Sequence, residues 1–189
     1  MHTENPLGYE RISVLLRKFA VPSIIAMLVS SLYNVVDQIF IGWGVGPLGN
    51  AATNVAFPIT TICMAIALTL GVGSASQFSL HLGRKETEDA AKVVGSGFCM
   101  MLFFGILYAV IVEIFLKQML TAFGATENIF GYAVTYTGIT AIGMPLLITV
   151  NGLSNLARAD GSPLYSMMTM VIGAVINTIL DPVFIFVFK

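Results

Sequence analysis

Two aspartates lie inside long apolar stretches of this sequence, where a charged side chain is costly. Asp37 and Asp181 are each followed by further apolar residues before the stretch ends. An ionisable group at the centre of a membrane-spanning helix costs about 2.5–3.5 kcal/mol on insertion scales, so each acid needs a reason to be there. Carboxylates are hard oxygen ligands for small cations, and they also take up protons. The pair therefore predicts a site for a proton or a small cation.

Polar side chains accompany both aspartates at helical spacing. Tyr33 and Asn34 precede Asp37 by about one turn, and Asn177 precedes Asp181 by one turn. Residues three or four positions apart share a helix face. With a rise of 1.5 Å per residue, both aspartates fall about 24–27 Å from the same end of their helices. We therefore expect the two helices to bring these residues together into one polar site.

The proline after the second aspartate adds a backbone ligand to this prediction. Pro182 has no N–H, so the carbonyl of Thr178 lacks its usual helical donor and is free for another partner. An alternative is that the acids and amides only hydrogen-bond across helices and hold the bundle together. Asn151 lies one turn before Asn155 and, by the same rise per residue, nearer the cytoplasmic end than the acids. At that depth the structural role is favoured, and Asn151 is kept as a further candidate.

Five apolar segments must position these residues. The chain is 57% hydrophobic and 10% charged, whereas soluble domains are roughly 45–50% apolar and about 25% charged. A spanning helix needs about 20 apolar residues. The segments predicted to span are 19–42, 51–82, 93–116, 129–156 and 165–188. The sequence thus predicts an all-α polytopic membrane protein in a lipid bilayer, with a kink at 143–145 and close packing of the small residues at 71–76.

Positive charge is concentrated at one end of the predicted spans. Lys and Arg are retained on the cytoplasmic side of short loops. At that end are Arg11, Arg17, Lys18, Arg84, Lys85, Lys92 and Arg158, and at the other are Lys117 and Lys189. The amino terminus is therefore predicted to be cytoplasmic. Glu113 lies four residues before Lys117, and this spacing predicts an ion pair at the outer interface.

Several function classes are disfavoured by the same sequence. The net charge is −1, and the longest basic stretch is Arg84-Lys85, so nucleic acid is not an expected partner. No Ser/His/Asp triad, zinc-ligand spacing or phosphate-binding loop is apparent, which disfavours an enzyme and gives no reason to expect a cofactor.

Three segments together resemble the MATE multidrug exporters. The first is Pro22 with 33–42 (YNVVDQIFIG), the second is 158–163 (RADGSP), and the third is 177–182 (NTILDP). The resemblance implies an antiporter with two six-helix lobes around a central cavity, which expels small organic cations or drugs in exchange for sodium ions or protons. It also implies that Asp37, Asp181, Asn177 and Tyr33 form the cation-binding group of the amino-terminal lobe.

The resemblance further implies how much of such a transporter the chain contains. Residues 1–189 are expected to form most of the amino-terminal lobe, without its sixth helix and without the carboxyl-terminal lobe. Sodium is expected at Asp37, Asp181 and Asn177, with Asn34, Asn151 and Thr178 as further polar candidates. The alternatives are a lipid-linked flippase of the same superfamily, which would need a basic groove for phosphate, and a scaffold subunit that transports nothing.

Overall fold

The computed structural model describes residues 10–187, with side chains as far as residue 185. Within this range the chain forms five α-helices, and a π-helical turn (Val183–Val187) follows the last of them. The helices are α1 (Ile12–Gly44), α2 (Pro47–Gly83), α3 (Thr87–Ala122), α4 (Glu127–Ala159) and α5 (Pro163–Pro182). All five are long and apolar enough to cross a membrane. The predicted all-α polytopic fold is confirmed.

Most helices extend beyond the apolar segments that predicted them. α3, for example, begins six residues before the predicted segment 93–116 and continues to Ala122. Helical hydrogen bonding does not require apolar side chains, so it continues through polar residues at the ends of a span. The exception is the fifth segment, where α-helical geometry ends at Pro182 and becomes π-helical. The end of that segment, at 188, lies outside the described residues.

α2, α3 and α4 each end in a Schellman motif. Two backbone N–H groups beyond each helix donate to carbonyl groups of its last turn. The residue that reverses the chain has a positive φ, which glycine adopts without strain. These residues are Lys85 (φ 64°), Gly124 (φ 95°) and Gly161 (φ 80°). After α2, a lysine therefore holds the conformation for which the other two turns use glycine.

The helices are divided between two compact units. The first unit contains α1, α5 and the π-helical turn together with the last residues of α4, and the second contains α2, α3 and most of α4. In the first unit, α1 packs along α5 and also contacts the π-helical turn. This packing positions the two aspartates.

The second unit has its core along one face of each helix. The buried side chains recur every three or four residues, as a helix face requires. They include Ile59, Cys63 and Ala67 on α2, Met101, Tyr108, Val112 and Leu120 on α3, and Ala133, Ala141, Met144 and Ile148 on α4. Large apolar side chains such as Phe103 and Ile142 are exposed on the opposite faces. Hydrophobicity therefore does not separate inside from outside, as expected where the surroundings are lipid.

Glycines mark the close helix contacts in this core. A Cβ built on Gly71 would lie 2.8 Å from the Cα of Gly152, where α2 meets α4. A Cβ on Gly97 would lie 2.6 Å from the hydroxyl oxygen of Ser74, where α3 meets α2. Gly73 has no atom within 4 Å of such a Cβ. The predicted small-residue run thus packs closely at Gly71 and Ser74 but not along its whole length.

Within the five described helices, backbone geometry departs from helical values in α3. α4 continues through Pro145, whereas Phe115 of α3 is non-helical, with φ −104° and ψ 15°. A Cβ built on Gly105 would lie 2.7 Å from the Cα and 3.3 Å from the Cβ of Pro145. The absence of a side chain at Gly105 therefore leaves room for the proline ring. The missing N–H does not end the helix at Pro145, and the predicted kink at 143–145 stays a prediction.

Candidate functional site

The contact between α1 and α5 brings two acidic side chains together. Asp37 on α1 and Asp181 on α5 are both half-buried, and they lie close enough for the charge of Asp181 to act on Asp37. Equal depth along two parallel helices was the basis on which this pairing was predicted. Their role in binding an ion stays a prediction.

One atom of this pair lacks a hydrogen-bond partner. The Oδ2 atom of Asp181 is buried from solvent, and no donor in the described part of the chain reaches it. Buried polar atoms are nearly always hydrogen-bonded, so each exception requires an explanation. A cation beside this atom would supply the missing partner, and a proton on the carboxyl group would instead remove its negative charge.

The neighbouring polar side chains differ in what they offer. The Asn34 side-chain amide donates to the Ser30 carbonyl at 2.8 Å and is exposed. The Thr178 hydroxyl donates to the Ala174 carbonyl at 2.8 Å. The Asn177 side chain is exposed and Tyr33 is half-buried. Asn34 and Thr178 therefore direct hydrogens to their own helices, although their oxygen atoms can still accept hydrogen bonds or ligate a cation.

The backbone beside Asp181 departs from α-helical geometry. Pro182 is the last residue of α5, and the π-helical turn begins at Val183. The Val183 N–H donates to the Leu180 carbonyl. Single π-turns within helices occur frequently at functional sites. The carbonyl of Thr178 receives no α-helical hydrogen bond from Pro182, so a backbone oxygen is available one turn from the acid.

Asn151 belongs to the second unit. Its amide donates to the Leu147 carbonyl at 2.9 Å, and Asn155 donates to the Asn151 carbonyl at 3.0 Å. The Asn155 amide nitrogen would lie 2.9 Å from a Cβ on Gly71. Asn155 thus packs where α4 meets α2. These contacts are those of residues that hold helices together, and they supply no observation that favours Asn151 as an ion ligand.

The ion pair predicted between Glu113 and Lys117 is wrong. Within residues 10–187, the described salt bridges are His81 with Glu86 and Lys92 with Asp89. The non-helical residue Phe115 lies between Glu113 and Lys117 and disturbs the four-residue spacing on which the prediction relied. The Glu113 carboxylate oxygens lie 4.0 Å from a Cβ built on Gly138 of α4. Glu113 therefore faces the neighbouring helix.

A further polar cluster was not found from sequence. His81, Glu86 and Asp89 come together around the turn between α2 and α3. Their spacing of five and three residues matches neither a helix face nor a zinc-finger pattern. The three residues come together because of the Schellman turn after α2. That turn is difficult to recognise in the sequence, because Lys85 occupies the position where glycine is usual.

The α1–α5 arrangement has a simple chemical capacity. Two ionised carboxylates repel each other, and the repulsion increases where water is excluded. A proton on one of them, or a cation between them, removes that repulsion. Small hard cations prefer carboxylate, amide and carbonyl oxygens, and all three types are present on the facing helices. The pair can thus exist in two charge states that differ in the energy of the α1–α5 contact.

The sequence is similar to known transporters over most of its length. A protein-family model described as MatE matches residues 22–183. The multidrug export protein MepA of Staphylococcus haemolyticus is 31% identical over 168 residues, which are 89% of this chain and 37% of that protein. The chain therefore spans about two fifths of the length of the curated relatives it matches.

Solved structures show the same relationship. One is described as the outward-facing conformation of a multidrug resistance MATE family transporter of the MOP superfamily. It has 25% identity and a TM-score of 0.92, and the match covers 100% of this chain and 42% of that one. A MOP superfamily transporter from Pyrococcus furiosus, described as having a binding pocket of reversed polarity that suggests a different function, has the same identity, TM-score and coverage.

Proposed function

Because the chain belongs to the MatE family, whose relatives are multidrug export proteins, we propose that it is the cation-binding lobe of a multidrug antiporter. The transporter would expel organic cations and drugs in exchange for sodium ions or protons. The observation that carries this proposal is the proximity of Asp37 and Asp181 where α1 packs along α5, with a buried carboxylate oxygen that has no hydrogen-bond partner among the described residues.

The coupling ion would act by changing the charge of this pair. Sodium would be held by the Asp37 and Asp181 carboxylates and the Asn177 amide oxygen, and a proton would be held by the carboxylates alone. The occupied pair is closer to neutral and the empty pair repels itself, so the ion favours one arrangement of α1 and α5 over the other. If the drug binds the other arrangement more tightly, ion and drug exclude each other reciprocally. Such exclusion is the thermodynamic requirement for exchange.

A lipid-linked substrate is less well supported by the residues at this contact. Recognition of a phosphate group requires basic side chains or backbone donors. The predicted site members on α1 and α5 are acids, amides and hydroxyls, which suit a cation. A role as a scaffold that transports nothing would leave the unpartnered atom of Asp181 without an explanation.

The test is coupled export by a transporter that contains this lobe. Since the chain spans about two fifths of its relatives' length, the assay would use this chain joined to the remainder of the S. haemolyticus MepA protein. With the chimera reconstituted in liposomes, an imposed sodium or proton gradient should drive a fluorescent organic cation across the membrane in the direction opposite to the ion. Applying each gradient alone identifies the coupling ion.

Asp37→Asn and Asp181→Asn should each reduce export to the rate seen without a gradient. Asparagine keeps the size and much of the hydrogen bonding of aspartate but cannot change its charge. Glu113→Gln is the matched control, because it removes an acid from a spanning helix of the other unit and should leave export unchanged. If both asparagine variants insert normally and keep gradient-driven export, the two acids serve only to hold the helices together and the proposal fails.

A further inference from the structure

Three metal-ligating atoms converge at the turn between α2 and α3. One ring nitrogen of His81 and one carboxylate oxygen from each of Glu86 and Asp89 lie within 4.8 Å of one another. The closest pair is Nδ1 of His81 and Oε2 of Glu86, at 2.7 Å. This cluster lies in the second unit and has no part in the α1–α5 site.

The backbone fixes the positions from which these side chains project. The Glu86 N–H donates to the His81 carbonyl at 2.9 Å, and this is the bond of the Schellman turn that spans five residues. The Ala90 N–H then donates to the Glu86 carbonyl at 3.0 Å and starts α3. Asp89 lies in the first turn of that helix. Two helix ends and one short turn therefore hold all three residues, so little ordering is left for a ligand to cause.

A charged neighbour competes with a metal ion for the cluster. The Lys92 ammonium donates to Oδ1 of Asp89 at 2.7 Å. A metal ion would have to displace Lys92 from Asp89. Arg84, Lys85 and Glu88 are exposed on the same turn.

We propose that His81, Glu86 and Asp89 form a site for a divalent first-row transition metal ion such as Zn²⁺. Imidazole nitrogen with carboxylate oxygen is a donor set for these metals, whereas Ca²⁺ and Mg²⁺ prefer oxygen alone. Ligand atoms lie about 2.0–2.2 Å from Zn²⁺, so the three side chains would have to close around the ion, and the Asp89 carboxylate would have to leave Lys92. Water can take the remaining positions because Glu86 is exposed.

A bound ion would connect the end of α2 to the first turn of α3. Such a crosslink favours the paired arrangement of the two helices, because the metal binds the folded turn and not the unfolded chain. The inference concerns this chain directly and does not depend on drug export.

The test is metal binding by the purified chain with no histidine tag. His2 is the only other histidine, so a His2→Gln background leaves His81 as the sole imidazole. Zn²⁺ binding followed by calorimetry should show one site. Co²⁺ should give a visible absorption spectrum, which reports its ligand set. His81→Gln and Glu86→Gln should each weaken Zn²⁺ binding by about tenfold or more, since even indirect supports of a metal site cost 10–100-fold in affinity.

Two control variants separate loss of a ligand from general damage. Glu88→Gln removes an exposed acid from the same turn and should bind Zn²⁺ as the parent does. Lys92→Gln removes the competitor for Asp89 and should bind Zn²⁺ more tightly, a gain that misfolding cannot produce. The proposal is overturned if the parent shows no one-to-one Zn²⁺ binding. It is equally overturned if His81→Gln and Glu86→Gln bind as tightly as Glu88→Gln, or if Lys92→Gln shows no gain.

Discussion

The contact between α3 and α4 provides the most direct test of how the second unit is held together. A Cβ built on Gly105 would lie 2.7 Å from the Cα of Pro145 and 3.4 Å from its carbonyl oxygen. Carbon atoms pack optimally at about 3.5–4.0 Å, so Gly105→Ala requires the two backbones to separate by roughly 1 Å. No side-chain rotation can relieve the overlap, because the atom that would be struck belongs to the backbone.

The expected cost follows from comparison with a second glycine of the same helix. Overpacking a core costs about 1–3 kcal/mol, whereas replacing a helix-interior glycine by alanine gains about 0.8–1.0 kcal/mol in helix propensity. Gly95 has nothing within 4 Å of its Cβ position, so Gly95→Ala should show the gain alone. The difference between Gly105→Ala and Gly95→Ala therefore isolates the overpacking cost of about 1–3 kcal/mol.

Cysteine reactivity can measure this difference in detergent. Cys63 is fully buried in the second unit and Cys99 is exposed, so a Cys99→Ser background leaves one thiol that reacts only when the core opens. If closing is fast relative to labelling, the rate follows the opening equilibrium. Each 1.4 kcal/mol then changes the rate about tenfold. Gly105→Ala should label about 5- to 150-fold faster than Gly95→Ala. Equal rates would refute the inference that Gly105 and Pro145 form a close backbone contact.

Two further predictions, each with its own control variant, can be tested by the same Cys63 labelling. Lys85→Gly should slow labelling, because it relieves a positive φ of 64° and stabilises the turn by up to about 1 kcal/mol. Gly124→Ala, at the equivalent position after α3, should speed labelling. A change in the same direction in both variants would contradict this account. Tyr108→Phe should speed labelling a few-fold, because it removes a buried hydroxyl that donates to the Ile59 carbonyl at 2.7 Å, and such a bond is worth about 0.5–1.5 kcal/mol. Tyr132→Phe, at an exposed position, should have no effect on labelling. An equal effect of both variants would exclude this hydrogen bond.

The number of helices was predictable for a physical reason, and the same reasoning underlies the predicted pairing of Asp37 with Asp181. Spanning segments are recognised by their length and apolar composition, and the rise per residue is constant, so depth can be calculated from position alone. Spacing of three or four residues then predicts Asn177 and Tyr33 as neighbours of the acids. These quantities do not depend on how the helices pack.

Features that depend on the facing of helices or on turns were not predictable in the same way. All five helices are apolar on every side, so hydrophobic periodicity does not mark the buried face of α3 or α4. The Glu113–Lys117 spacing was correct for a regular helix, but Phe115 is not helical. The cluster at His81 depends on the backbone course of a single turn, whose defining residue is lysine where glycine is usual.

The two units differ in how much buried contact their helices have. α1 has one buried residue, Ala26, and α5 has two, Pro163 and Ser166, whereas α3 alone buries a residue on nearly every turn. The low burial of α1 and α5 reflects their exposed outer faces, because the two helices pack along each other as extensively as α2 packs along α3. In the proposed function, a change in charge at Asp37 and Asp181 would act on this α1–α5 contact. The glycine contacts of the second unit, in which backbones touch directly, leave little freedom for movement. If Asp37 and Asp181 bind the coupling ion as proposed, we expect the resulting movement within the first unit, between α1 and α5.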